Sequence, residues 1–138
     1  MIWAVLLLLS GDLEAVKSET NLERRSERAL INAVTAMDLA RDAYRAGESD
    51  KATTALNEVK DSVELSYEAL VDAGKDPRKH PKFFKAAELK TRELLRRLGD
   101  MSRAVSMEER ELVEKVRGSV SEIHDNLLNG ILTKKKKQ

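Results

Sequence analysis

Apolar side chains recur every three or four positions from residue 20 onward, which is the period of an amphipathic α-helix. This pattern is interrupted near Gly47, Gly74 and Ser106, so it predicts four helices. Glycine suits the first two interruptions because it adopts the left-handed conformation that ends a helix at no steric cost. The region before residue 12 differs, with an unbroken apolar run from Ile2 to Leu9.

The first two helices are predicted to form one hairpin. Thr20 and Glu23 have the spacing of a capping box, so the first helix should begin there, and Ser49 or Asp50 should cap the second. The two apolar stripes are Leu22, Ala29, Leu30, Ala33, Ala36, Met37, Ala40, Ala43 and Tyr44, then Ala52, Ala55, Leu56, Val59, Val63, Tyr67 and Leu70. The alanines of the first stripe predict a close approach of the neighbouring helix and therefore a thin core.

A second hairpin is predicted beyond residues 75–82, where two prolines exclude a continuous helix. The third helix should run from about Lys82 to Ala104, and the fourth should begin just after the capping residue Ser106. Their core candidates are Phe83, Phe84, Ala87, Leu94, Leu95, Leu98 and Met101, then Leu112, Val113, Val116, Val120, Ile123 and Leu127. Because Phe83 and Phe84 are adjacent, at most one of them should face the core squarely.

Short loops place successive helices side by side in antiparallel pairs. The sequence therefore predicts an all-α fold in which antiparallel hairpins form a four-helix bundle, with an open stack of hairpins as the alternative. The fourth helix is expected to stop at Asn129-Gly130. We expect one helical domain over residues 12–130 and a basic, disordered tail over residues 131–138.

One hairpin resembles a known repeat. Residues 36–59 carry Leu39, Ala40, Tyr44, Gly47, Asp50, Lys51, Ala52, Leu56 and Val59 in the arrangement of a single tetratricopeptide-type helical hairpin. That family has a closing proline where this chain has Glu64, and no second copy follows at the family's period. The resemblance implies peptide or protein binding without catalysis.

The apolar run at the N-terminus predicts export. Residues 2–9 fit the apolar part of a secretory signal peptide and are too few to span a bilayer. Residues 1–11 are therefore predicted to be a signal peptide, which would place the protein in the periplasm or outside the cell. The alternative is a retained apolar helix in a cytoplasmic or membrane-associated protein. A leader followed by charged helices is similar to the layout of many bacterial exported proteins of unassigned function.

Charge is balanced over the whole chain and uneven along it. The formal net charge is +1, but residues 12–72 carry −6 and residues 75–97 carry +6. One interpretation is that the acidic second helix pairs with the basic third helix. The other is an anion-binding surface for nucleic acid or an acidic membrane. The residues of this possible binding surface are Arg78, Lys79, His80, Lys82, Phe84, Arg92 and Arg96.

Catalytic and cofactor motifs are missing from the sequence. The chain has no cysteine and two histidines, His80 and His124, and neither histidine lies in a metal-binding spacing. It also lacks the glycine-rich loops that bind nucleotides. We therefore expect no enzyme activity, no cofactor, no metal and no small-molecule substrate. The predicted function is that of a helical interaction or structural protein that binds a protein partner or itself, with anion binding by residues 75–97 as the alternative.

Overall fold

Four long helices make up most of the chain in the computed structural model, which describes residues 13–74, 76–77 and 79–136. We number them α1 (Leu22–Arg45), α2 (Ser49–Asp72), α3 (Pro81–Ala104) and α4 (Met107–Lys136). A short helical segment over residues 13–17 precedes them. The predicted all-α fold of antiparallel hairpins is confirmed, whereas the predicted leader, residues 1–11, lies outside the described residues.

The helix ends follow local chemistry, with two corrections to the predicted caps. Asn21, and not Thr20, caps α1, because its side-chain oxygen accepts the backbone N–H of Arg24 at 3.0 Å. The N-cap of α2 is Glu48, whose side chain makes no capping bond, so neither Ser49 nor Asp50 caps that helix. Gly47 has φ +74° and follows the end of α1 as predicted.

The two hairpins pack so that α1 contacts α2 and α3, while α4 contacts α3 and α2. The order around the bundle is therefore α1, α2, α4, α3, and the chain crosses a diagonal between α2 and α3. As a result α1 and α3 run parallel, with their C-terminal ends side by side. The Tyr44 hydroxyl at the end of α1 donates to the Ala104 carbonyl oxygen at the end of α3, at 3.0 Å.

The core lies along the bundle axis and draws on all four helices. The alanine ridge of α1 is buried against its neighbours, as its small side chains predict. Phe84 is 5% exposed and belongs to this core, while Phe83 packs at its edge. Only one of the two phenylalanines therefore faces the core fully. Because it is Phe84, that residue does not lie on the surface to which it was assigned.

Polar side chains cross the buried interface between α1 and α2. The hydroxyls of Ser26 and Ser66 are 2.9 Å apart, and the Asn32 amide donates to the Ser62 hydroxyl at 2.9 Å. All four residues are buried. In the described residues no buried side-chain nitrogen or oxygen lacks a hydrogen-bond partner. These pairs fix the register of the hairpin, since an unpaired buried polar group is costly.

The helix α4 does not stop at Asn129-Gly130 but continues to Lys136. Residues 131–136, which the sequence analysis assigned to the basic tail, are therefore part of the helix. Gly130 explains part of this difference, because a β-carbon there would lie 3.2 Å from the Cγ atom of Pro77. The glycine thus permits a close approach between α4 and the α2–α3 connection instead of ending the helix.

Candidate functional site

The basic residues of segment 75–97 are spread along the start and the length of α3. Lys79, His80 and Lys82 are exposed near the start of α3, and Arg78 lies outside the described residues. Arg92 and Arg96 follow Lys82 on α3 by about 15 and about 21 Å, given the rise per residue of an α-helix. The predicted residues on α3 therefore extend over about 21 Å, with the exposed Lys85 and Lys90 between Lys82 and Arg92.

The arginines of α3 pair mainly with acids on their own helix. Arg92 binds Glu88 in a bidentate contact at 2.6 and 2.8 Å, and Arg96 contacts both Glu93 and Asp100. The pKa of the Glu93 carboxyl is lowered, chiefly by its hydrogen bond from Arg96. The prediction that basic α3 pairs with acidic α2 is therefore wrong for these arginines. The diagonal crossing explains this, because α3 lies beside α1 and α4.

Arg97 links the two hairpins. Its guanidinium group donates to the Asp38 carboxylate on α1 at 2.6 Å, and its side chain is only 17% exposed. A hydrogen bond between a guanidinium and a carboxylate is stronger than one between two neutral groups. This contact therefore joins α1 to α3 in the C-terminal third of both helices.

A groove of about 320 Å³ lies between these parallel helix ends. Four of its lining residues are arginines, two from each helix, and we call it the arginine groove after them. Its lining consists of Met37, Arg41, Tyr44, Arg45, Arg96, Arg97, Asp100, Met101 and Ala104. Sequence analysis had singled out Arg96 but missed Arg41 and Arg45, because only the packing of α1 on α3 brings them together.

The four arginines are engaged to different degrees. Arg97 is held by Asp38, and Arg96 is bound by acids on α3, as described above. Arg41 contacts Asp42 at 3.3 Å and Asp38 at 3.9 Å, with its side chain 43% exposed. Arg45 is exposed and forms no ion pair within the described part of the chain. Exposed ion pairs contribute only about 0–1 kcal/mol each, so an incoming carboxylate can replace them at little cost.

A second cavity, of about 210 Å³, lies at the same end of the bundle between the start of α2 and the start of α4. Tyr44 and Met101 line both cavities. Glu108 and Glu109, from the first turn of α4, line only the second cavity. This end of the molecule therefore carries an arginine-lined cavity and a cavity lined by two glutamates, on two sides of one tyrosine and one methionine.

A titratable cluster joins α3 to α4. The His124 ring Nε2 lies 2.8 Å from a Glu88 carboxylate oxygen, and Glu88 also accepts the two bonds from Arg92. The pKa of Glu88 is lowered, first because Arg92 donates to its carboxylate, and burial opposes this shift. Sequence analysis missed the pairing, since the two residues are distant in the chain and neither lies in a known motif. Neither cavity is lined by this cluster.

Other site types receive no support from the described residues. Within the described ranges, no group of three or more histidine, aspartate or glutamate side chains is arranged to hold a metal ion. None of the helices in that part of the chain is both long enough and apolar enough to cross a membrane.

Comparison of the chain with protein-family models finds no match, and comparison with curated proteins finds none. The tetratricopeptide resemblance therefore stays a prediction.

Proposed function

We propose that this chain is a non-catalytic helical interaction protein that binds an acidic segment of a partner protein in the arginine groove. The observation that carries the proposal is that four arginines, two from α1 and two from α3, line one groove. Guanidinium forks match carboxylates in shape and charge. The ligand class is therefore a peptide segment that presents aspartate or glutamate side chains.

The floor of the groove supports a peptide ligand more than a small free anion. Met37 and Met101 contribute flexible apolar side chains, and Tyr44 adds an aromatic ring. Arginine and tyrosine are enriched among the residues that dominate protein–protein binding energy. A volume of about 320 Å³ is small for a cofactor pocket but accommodates a few side chains. We therefore expect an acidic segment that also carries an apolar side chain.

The proposed lack of catalysis follows from how the titratable groups are used. Glu88 and His124 form the cluster with the most catalytic character, and they bond to each other and to Arg92. Their bonds join α3 to α4, and neither residue lines the arginine groove. The cluster thus serves the packing of the second hairpin.

Binding of a labelled acidic peptide, measured by fluorescence anisotropy at low and moderate salt, tests the proposal. Arg45→Glu should weaken binding by about tenfold or more, which corresponds to about 1.4 kcal/mol. Lys82→Glu makes the same charge change near the opposite end of α3 and serves as the matched control. No binding of any acidic peptide at low salt would contradict the proposal.

The alternative function, anion binding by residues 75–97, makes the opposite prediction for the two variants. Random duplex DNA or acidic vesicles would then bind, and binding would fall steeply with added salt. Lys82→Glu would weaken that binding at least as much as Arg45→Glu does. The arginine groove is favoured because its four arginines line one cavity, whereas the basic residues of the segment on α3 are spread over about 21 Å from Lys82 to Arg96.

Export of the protein is part of the same proposal and rests on the apolar sequence Ile2–Leu9. Mass spectrometry of natively expressed protein would detect the mature N-terminus. Cleavage near residue 11 would support a periplasmic or secreted location, and an intact Met1 in a cytosolic fraction would contradict it.

A further inference from the structure

We infer that the acidic segment bound by the arginine groove is the first turn of α4 from a second copy of this chain, so that two copies form a symmetric dimer. We call Met107, Glu108 and Glu109 the acidic turn. This inference rests on the proposed function and names the partner. The acidic turn of one copy would enter the groove of the other, and the reverse contact would form at the same time.

The acidic turn has the chemistry that the groove requires. Glu108 is exposed, and its carboxylate would pair with Arg45 and Arg41 of the other copy. Met107 is 82% exposed, the highest exposure among the large apolar side chains of the described residues, and it matches the apolar floor of the groove. Acids in a first helical turn are favoured by the helix dipole, but the dipole does not account for an exposed methionine beside them.

The basic residue that follows the acidic turn does not oppose this contact. Arg110 is directed back at the end of α3, where its guanidinium donates to the Ser102 carbonyl at 2.8 Å and the Val105 carbonyl at 3.3 Å. Its charge is thus used at the negative end of a helix. The residue after Arg110 is the exposed Glu111. With Arg110 directed at α3, the outward surface of the first turn of α4 is acidic.

Groove and turn lie next to each other in one molecule, which is what a two-fold interface needs. Ala104 lines the groove, and the acidic turn begins three residues later along the chain. A symmetric dimer uses the same patch on both copies, so the patch must be self-complementary. A surface with a basic groove on one side and an acidic, apolar projection on the other meets that condition when it is rotated by half a turn.

Charge-reversal variants test the inference when their dimerisation is measured by sedimentation velocity. The wild-type chain should show a monomer–dimer equilibrium that weakens with salt. Arg45→Glu and Glu108→Arg should each weaken the dimer by about tenfold or more. The first variant places two acids, and the second two bases, at both of the symmetry-related contacts. An equimolar mixture of the two variants should restore a dimer containing one of each, because both contacts then join an acid and a base.

Controls separate this inference from a folding defect and from the proposed function. Circular dichroism should show unchanged helicity in both variants, and Lys82→Glu should dimerise like the wild type. If Arg45→Glu fails to fold, Arg41→Glu replaces it.

The acidic peptide is also titrated into Glu108→Arg, whose groove is intact and unblocked. A wild-type chain that stays monomeric at all concentrations, or a mixture that does not recover the dimer, overturns the inference. Peptide binding in that case still supports the proposed function, and failure of both contradicts both.

Discussion

The Glu88 side chain on α3 is almost buried, since the residue is only 7% exposed. Its neighbours keep its carboxylate charged. Arg92 donates two hydrogen bonds to it, and the ring nitrogen of His124 makes a third contact. A buried charge is tolerated only when such bonds replace those that water would make. Asp125 also lies close to this cluster, at 3.8 Å from the second ring nitrogen of His124.

The lowered pKa of Glu88 predicts a pH-dependent contribution to stability. A carboxyl whose pKa is lower in the folded state stabilises the protein above its unfolded value, here 4.5, and the contribution is lost as pH falls through the folded pKa. Glu88→Gln should therefore cost about 1–3 kcal/mol near pH 5, and the difference from wild type should shrink near pH 3. Urea unfolding at both pH values measures this.

The difference in stability between wild type and Glu88→Gln removes the contributions that other acids make to the pH dependence. Glu19, Glu93 and Glu114 also have lowered pKa values, and they are present in both proteins. A stability difference that stays constant from pH 5 to pH 3 would show that the charge of Glu88 contributes nothing and that the substitution acts through packing alone.

At the scale of the elements, the serine pair between α1 and α2 is predicted to be energetically coupled. Ser26→Ala leaves the buried Ser66 hydroxyl without its partner, and Ser66→Ala does the same to Ser26. Each variant should lose about 1 kcal/mol, and the double variant should lose less than the sum by about 0.5–1 kcal/mol. Urea unfolding of all four proteins measures the coupling. Strictly additive losses would show that each hydroxyl bonds its own helix backbone instead.

Two glycines within α4 provide a matched pair of helix substitutions. Nothing lies within 4 Å of a β-carbon placed at Gly118, whereas one at Gly130 would press on the Pro77 ring. Gly118→Ala should therefore stabilise the protein by about 0.5–1 kcal/mol, as alanine does in an open helical position. Gly130→Ala should gain clearly less, because the α2–α3 connection must shift. Equal gains in thermal or urea unfolding would contradict a close approach at Pro77.

The elements followed from the sequence far better than their arrangement did. Proline placement predicted where α3 begins and the capping pattern at Ser106 predicted where α4 begins, because those signals act within a few residues. The predicted end of α4, at Asn129-Gly130, was too early, because the effect of Gly130 depends on a contact with Pro77 from another part of the chain. Buried polar residues such as Asn32 were also not predicted, since a hydrophobic pattern assigns polar positions to the surface.

At the scale of the whole molecule, the order of helices around the bundle determines the candidate site. An apolar stripe shows which face of a helix is buried but not which helix lies beside it. The diagonal connection makes α3 a neighbour of α1, and Arg97 consequently binds Asp38 rather than an acid of α2. Two of the four arginines of the groove, Arg41 and Arg45, could therefore not be assigned to it before the packing was known.

The shared core predicts that the two hairpins unfold together. Leu98 of α3 is fully buried in the cluster formed by all four helices, whereas Leu89 of the same helix is 56% exposed. Leu98→Ala should lose about 2–5 kcal/mol, through lost burial and the cavity left behind, and Leu89→Ala should lose well under 1 kcal/mol. Because the core is common, Leu98→Ala should also speed amide hydrogen exchange in the buried parts of α1 and α2, which mass spectrometry can follow peptide by peptide. If exchange quickened only in α3 and α4, the hairpins would be separate folding units and the interface between them would be too weak to hold the arginine groove in one shape.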